Sequence, residues 1–508
     1  MLIEKDSIIN NRYTIYRTLG QGGMGIVFRG HDRLTKQKVA IKLLNVSPGH
    51  LKFASKSGDS NPKLALINEF RILAGLRHPN IISVYDYGLH DGVPFIVMEY
   101  KSGTISIDNA FQQAEDSQKV QMLLQVLEAL AYLHRRHVIH RDLKPSNILV
   151  SDTTVKVLDF GLSVAEDAAS GRAGTLAYMS PETLDKGMTL PQSDLYSVGV
   201  LAYEAFAGHS PYSGNPVMSI LYDVPDMTPI QDYPIVDIVE RLLLKDPADR
   251  YQTASDVITA IEQAYDLPHR ETVSVRESFL QASAFVGRDD EINLLMAALE
   301  QAKDKQGSAW LVGGESGVGK SRLFDEFRIR ALTEGAFVLR GLAVDGGGLP
   351  FQLWRDITRR LLLSTPVSDF EASVLGELVP DIEDLIGRPV ADAPYLQGEG
   401  QKMRLIATIV DLLKRQTQPT VLLLEDLQWT EESLDVVRKL QYFIGKLPLL
   451  IVGNYRNDER ADLPDELPGT QVIQLERLSE LAISELIEAM LGEQGKNPNL
   501  LSFLQQQT

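Results

Sequence analysis

The stretch His140-Arg141-Asp142-Leu143-Lys144-Pro145-Ser146-Asn147 gathers a carboxylate, an ammonium and an amide, and Asp159-Phe160-Gly161 follows with a second carboxylate. Moving a phosphoryl group onto a hydroxyl calls for such side chains: a carboxylate for the hydroxyl proton and oxygen ligands for a charge-offsetting cation. Two glycine-rich runs accompany them. Gly20-Gln21-Gly22-Gly23-Met24-Gly25 fits G-x-G-x-x-G, and Gly314-Glu315-Ser316-Gly317-Val318-Gly319-Lys320-Ser321 fits G-x-x-x-x-G-K-[ST]. Glycine loops let backbone N–H groups wrap phosphate oxygens, and a following lysine reaches the outer groups.

Alone, the first glycine run fits a dinucleotide fold, a kinase loop or a plain turn. A dinucleotide site needs a helix straight after the third glycine. Here Ile26-Val27-Phe28 continues as strand and Val39-Ala40-Ile41-Lys42 follows, which is the protein-kinase arrangement. Lys42 needs an acidic partner, and Glu69 in NEFRILAGLRHPNI is the candidate. Phe95-Ile96-Val97-Met98-Glu99-Tyr100 reads as an apolar strand ending in a hinge.

With these motifs in order, residues 13 to 264 resemble a bacterial serine/threonine protein kinase of the eukaryotic (Hanks) type. The resemblance implies a bilobal fold and catalytic roles for Asp142, Lys42, Glu69 and Lys144. It implies ATP contacts at Gly20, Gly22, Gly25, Val27, Lys42 and Glu99, and Mg2+ at Asn147 and Asp159. Gly174 to Glu182 (GTLAYMSPE) resembles the substrate-docking stretch, with Ser180 in place of alanine. Arg250 is the expected partner of Glu182, Asp194 the expected support of the catalytic loop, and Lys144 with Thr175 the mark of serine/threonine specificity. Two departures stand out. The insert Asn45 to Pro62 reads as a surface loop or, through Ser47, Ser55, Ser57 and Ser60, as an autophosphorylation loop. The activation segment is short, with only Ser163 and Ser170 between Leu162 and Gly174. Glu166 and Asp167 supply part of the charge a phosphate would bring, so activity is expected to depend weakly on loop phosphorylation.

The second glycine run follows the apolar Trp310-Leu311-Val312 and precedes a helical stretch, the context a P-loop requires. Gly314, Gly317, Gly319 and Lys320 are expected to hold phosphates, and Ser321 to meet Mg2+. Val421 to Leu424 ends in Glu425-Asp426, as a Walker B position requires; Asp426 is favoured for the metal. Asn454 or Arg456 could sense the γ-phosphate. Residues 285 to 508, with Phe285-Val286-Gly287-Arg288 at the entry, resemble the AAA-like ATPase module of STAND-type signalling proteins. That resemblance implies a nucleotide-gated switch, expected to be incomplete at its C-terminus, as the front part of a longer architecture or a truncated member of it.

Elements must hold these groups in place. The first region opens with strand alternation at Tyr13 to Tyr16, Ile26 to Phe28 and Val39 to Ile41, with helical periods at Leu64 to Leu76 and Lys119 to His134. The second alternates short apolar strands with helices, which predicts a mostly parallel, helix-covered sheet. Residues 265 to 284 read as a linker, in which Thr272, Ser274 and Ser278 beside Arg270 and Arg276 offer phosphorylation sites. Gly341 to Pro350 reads as a glycine-rich turn.

Composition narrows the classes. The 508 residues hold 68 acidic against 50 basic side chains, a net charge of −18 that weighs against nucleic-acid binding. The absence of cysteine excludes disulfides and thiolate chemistry. No secretory signal and no apolar run long enough for a membrane span is found, so a cytoplasmic protein is expected. Protein substrates and a downstream regulator or sensor are the expected partners. Two other functions compete with the regulated kinase: a catalytically silent kinase scaffold whose P-loop module is the switch, and an ATPase regulated by the kinase.

Overall fold

In the computed structural model, residues 5–22, 25–44, 75–158, 176–212, 216–268, 285–345, 349–396 and 398–491 are described. The chain starts with an antiparallel sheet formed by β1 (Ile8–Ile9), β2 (Tyr13–Gly22), β3 (Gly25–Asp32), β4 (Lys38–Leu44), β5 (Val84–His90) and β6 (Val93–Glu99), in the order β1-β2-β3-β4-β6-β5. Alternation in β2 turns Tyr13 and Ile15 inward, where they meet Phe28, Val39, Ile41, Phe95 and Val97. The register sets Gly20 opposite Val27, and Val27 opposite Lys42. One rung of the sheet therefore carries the glycine loop, Val27 and Lys42.

Helices dominate next. Helix α1 (Asp116–Arg135) is closed at its start by Gln118, whose Oε1 accepts from the Glu115 N–H at 3.0 Å. Helix α2 (Pro181–Lys186) leads to α3 (Pro191–Ala207), which begins on proline and ends at left-handed Gly208. Most residues of α3 are buried, so it is the axis of the helical core rather than an amphipathic surface helix. Helix α4 (Ala254–Ala264) packs against α1. A small antiparallel sheet of β7 (Ile105–Ser106), β8 (Ile148–Ser151) and β9 (Thr154–Val157) packs on α1 through β9.

The second region is a parallel sheet of β10 (Ser308–Gly314), β11 (Phe337–Leu342), β12 (Thr420–Glu425), β13 (Leu449–Arg456) and β14 (Gln471–Gln474), in the order β11-β12-β13-β10-β14. Helices α5 (Asp289–Lys303) and α6 (Lys320–Thr333) cover one face; α7 (Gln352–Ser364), α8 (Ile382–Ile386), α9 (Glu399–Lys414) and α10 (Leu434–Gln441) build the core on the other. Burial on both faces explains why Val421 to Leu424 is uninterruptedly apolar. Gly341, read from sequence as part of a turn, instead belongs to β11. A β-carbon there would run into the Leu353 carbonyl, so glycine lets α7 approach the strand.

The P-loop region packs on the six-stranded antiparallel sheet of the first. Ile329 of α6 is buried in the core that holds Leu76 and Tyr87, and Leu34 packs against the core of the parallel-sheet region. Arg33 donates to the Leu385 carbonyl at 2.6 Å, and Arg359 to the Leu34 carbonyl at 2.7 Å.

Candidate functional site

Asp142 sits between α1 and β8 in a loop whose backbone is held from below. Asp194, in the first turn of α3, accepts from the N–H of His140 at 2.8 Å and of Arg141 at 2.9 Å. Its carboxylate also meets His134 Nε2 at 2.8 Å. Arg141 lies in the left-handed region at φ 70°, a conformation that this clamp over-determines. Above the clamp, Asn147 Nδ2 donates to the Asp142 carbonyl at 2.8 Å and to its carboxylate at 2.9 Å. Lys144 Nζ stands 2.8 Å from the same carboxylate. The loop thus gathers a buried carboxylate, an ammonium and an amide.

Lys42 is buried on β4, on the same rung as Val27 and Gly20 of the glycine loop. Gly20 and Gly22 end β2 and Gly25 opens β3, with Gly22 paired to Gly25. Glu99 closes β6; its carboxylate lies 3.0 Å from Lys156 of β9, tying the two lobes, and its N–H donates to the Ser83 carbonyl. Glu69, Asp159, Gly174, Thr175, the insert serines and the linker sites lie outside the described residues, as do Ser163 and Ser170.

The segment after Tyr178 is anchored by a buried ion pair. Arg250, fully buried, donates to both Glu182 oxygens at 2.9 and 2.8 Å, and Ser193 Oγ donates to Glu182 at 2.6 Å. Burial alone would raise the Glu182 carboxyl, but the bonds from Arg250 and Ser193 hold it below the usual range. Sequence reasoning paired Arg250 with Glu182 but gave Ser193, the residue before Asp194, no role.

The P-loop joins β10 to α6. Gly317 and Gly319 take φ of 82° and 102°, open only to glycine at no steric cost. Lys320 Nζ donates to the carbonyls of Gly314 and Glu315, each at 2.7 Å. Burial lowers its ammonium below the ordinary lysine range, and Arg456 adds to this from across the site. Ser321 is exposed at the helix start. Arg288 reaches the Val318 carbonyl at 3.4 Å and also binds the Glu476 carbonyl, so the entry motif braces the P-loop. Gly287 before it has φ 66°, and a β-carbon there would stand 2.7 Å from Ala482 Cβ.

The two Walker B carboxylates differ. Glu425 is buried in an ion pair with Arg340 of the neighbouring strand β11. Asp426 has its N–H held by Asn454 Oδ1 at 2.9 Å and receives Gln428 at 3.1 Å on its carboxylate. Gln428 also accepts from the Arg456 N–H at 3.1 Å, while Arg456 stacks 5.1 Å over Trp429 and pairs with Glu459. Arg340 was missed from sequence, and Gln428 of the Glu425-to-Trp429 motif was given no role of its own. A lone arginine after the apolar Phe337-Val338-Leu339 was the available signal.

Among the described residues no helix is long and apolar enough to cross a membrane, and no cluster of three or more metal-ligating side chains occurs. The protein kinase domain model matches residues 13–263, and the AAA ATPase domain model residues 284–452. Serine/threonine-protein kinase PknL of Mycobacterium tuberculosis is 34% identical over 303 residues, covering 56% of this chain and 74% of PknL. Serine/threonine-protein kinase PrkC of Bacillus subtilis is 30% identical over 312 residues, covering 58% of this chain and 46% of PrkC. The chain therefore spans about half of one relative and three quarters of the other. Together with the order of motifs along the fold, these relatives show that the chain belongs to the bacterial serine/threonine protein kinases and carries an AAA ATPase domain behind its kinase domain.

Proposed function

We propose that this protein transfers the γ-phosphoryl group of ATP to serine or threonine hydroxyls of proteins, itself included, in cytoplasmic signal transduction, and that its P-loop domain tunes that activity. In this reading residues 13–264 are the kinase domain, 265–284 the linker and 285–508 the ATPase domain. The observation that carries it is the arrangement of Asn147 and Lys144 around Asp142 above the Asp194 clamp.

Asp142 orients the hydroxyl and takes its proton, and Lys144 brings positive charge beside the path of the transferred group. Lys42, beside the glycine loop, meets the nucleotide phosphates. Asn147 spends both amide bonds on Asp142, which leaves its Oδ1 as an oxygen ligand of the kind Mg2+ takes. When bound with ATP, Mg2+ offsets charge on the phosphates; Asn147 and Asp159 would hold it here, and Ser321 with Asp426 in the P-loop domain. Asp426 suits that role better than Glu425, which is committed to Arg340.

The P-loop helix supports the regulatory half of the reading. Helix α6 begins at Lys320, and Ile329 near its other end packs in the kinase core. A shift of the helix with nucleotide would therefore be felt at the kinase. The test is transfer of labelled γ-phosphate by purified wild type, Asp142→Asn and Lys320→Ala chains. Label in wild type, none in Asp142→Asn and altered label in Lys320→Ala is expected. Label retained in Asp142→Asn overturns the catalytic assignment, and unchanged label in Lys320→Ala overturns the regulatory one.

A further inference from the structure

Where the two domains meet, a cleft of about 400 Å³ opens between β5 on the kinase side and α6, β11 and α7 on the other. That volume lies in the range of small-molecule sites. None of its lining residues belongs to either nucleotide cradle. Its charge is lopsided: Arg12, Arg328, Arg340 and Arg360 line it against one carboxylate, Asp86.

Two of the arginines are already matched. Arg12 is forked onto Asp32 and reaches Asp86, and Arg340 holds Glu425 and Asp325. Of the other two, Arg360 only shares Asp86 and Arg328 has no such pair among the described residues. Asp86 also accepts from Tyr13 Oη at 2.6 Å, and Arg360 approaches it only to 3.8 Å. Among the described residues Arg328 has no carboxylate within ion-pair distance, and its Nε is buried without a hydrogen-bond partner. Burial lowers both guanidiniums, most directly opposing their charged state.

Holding two under-neutralised guanidiniums in one cleft is unfavourable unless an anion joins them. The planar fork of arginine matches a phosphate oxygen pair, and a phosphomonoester brings about two negative charges at neutral pH. Leu332, Phe337 and Leu363 line the remaining wall and can receive an organic body. We propose that the interdomain cleft binds a small phosphate-bearing molecule through Arg328 and Arg360, as a third ligand site besides the two for nucleotide. Because its walls come from both domains, the ligand favours the docked arrangement.

The test uses the full chain, saturated beforehand with a non-hydrolysable ATP analogue and Mg2+ so that both nucleotide cradles are filled. Phenyl phosphate and inorganic phosphate are titrated calorimetrically into wild type, Arg328→Gln and Arg360→Gln. One equivalent of phenyl phosphate is expected to bind wild type, with inorganic phosphate weaker, and affinity is expected to fall at least tenfold in Arg328→Gln. No saturable binding of either probe to wild type overturns the proposal, as does equal binding by wild type and Arg328→Gln. Should Arg360→Gln loosen the interface, Arg328→Gln still decides, since Arg328 holds no carboxylate. If that variant does not fold, Arg328→Lys, which keeps the charge and loses the fork, must bind phenyl phosphate several-fold more weakly; unchanged affinity there also overturns the proposal.

Discussion

The Asn147 amide donates twice to Asp142, once to its backbone carbonyl at 2.8 Å and once to its carboxylate at 2.9 Å. A single side chain thereby fixes both the place of the loop and the direction of its carboxylate. Asp142→Asn is expected to lower phosphoryl transfer by roughly 10²–10⁴-fold. Asn147→Ala is expected to lose a large part of the same activity, because Asp142 is then free to rotate. Steady-state label transfer with urea melts of each variant separates this from unfolding: activity collapses while the midpoint moves little.

Asp194 acts through the loop rather than on a substrate, so its removal should register first as stability. Asp194→Ala strands the N–H groups of His140 and Arg141, and two lost charge-assisted bonds are worth about 3 kcal/mol. Urea unfolding of the full chain should show that loss in the kinase transition. A change below about 0.5 kcal/mol, the range of an ordinary surface substitution, would sink the clamp.

Breaking the Glu182–Arg250 pair leaves a buried charge without its partner. Arg250→Ala is expected to destabilise the kinase domain by about 3–5 kcal/mol. The Glu182 carboxyl is held below its ordinary 4.5, so its contribution is present above pH 4.5 and is lost as pH falls through the lowered folded value. Wild type should therefore lose more stability than Arg250→Ala between pH 5 and the acid limit, about as thermal melts over that range can resolve. Parallel acid curves for the two would contradict the assignment.

His78 sets a second, milder acid response. It is buried against Tyr132, with ring centroids 5.0 Å apart, and its Nδ1 accepts from the Asn80 N–H. Burial first, and Lys156 second, push its pKa from 6.5 down to about 3. The folded state therefore holds it neutral while the unfolded chain protonates below 6.5, so its stabilisation is full above that pH and declines as pH falls toward 3. In His78→Gln the slope of stability against pH just below neutrality should be shallower by up to about one proton. Identical slopes in calorimetric melts of the two proteins would count against it.

In the P-loop domain, Asn454→Ala removes the acceptor that holds the Asp426 N–H. ATP hydrolysis by the domain should fall about tenfold or more while nucleotide affinity, set mainly by the P-loop, changes less. Equal turnover in wild type and Asn454→Ala would leave Asn454 a purely structural brace.

Much of this was legible in the chain, because the groups concerned lie on single loops. His140 to Asn147 must share one connection whatever the tertiary packing, and a glycine run followed by strand excludes the helix a dinucleotide site requires. The alternating apolar strands of the second region likewise dictated a parallel sheet, since β10, β11 and β12 are each followed by a helix that crosses back over it. Gly341 was misread as turn because glycine marks either a turn or a close approach, and only α7 packed on β11 distinguishes them.

Sequence by itself therefore determined the two cradles, the order of their motifs and the residue types available for phosphate chemistry. Tertiary structure decided which groups are free to act. Arg340 meets Glu425 only because β11 pairs with β12, and Asn454 meets Asp426 only because β13 lies beside β12. The cleft between the domains has the same origin: Asp86 and Arg360 are far apart in the chain, and nothing in their local sequence marks either for the other. Spacing along a chain constrains neighbours on one loop, whereas charge balance in a buried cleft depends on which strands and helices come to face each other.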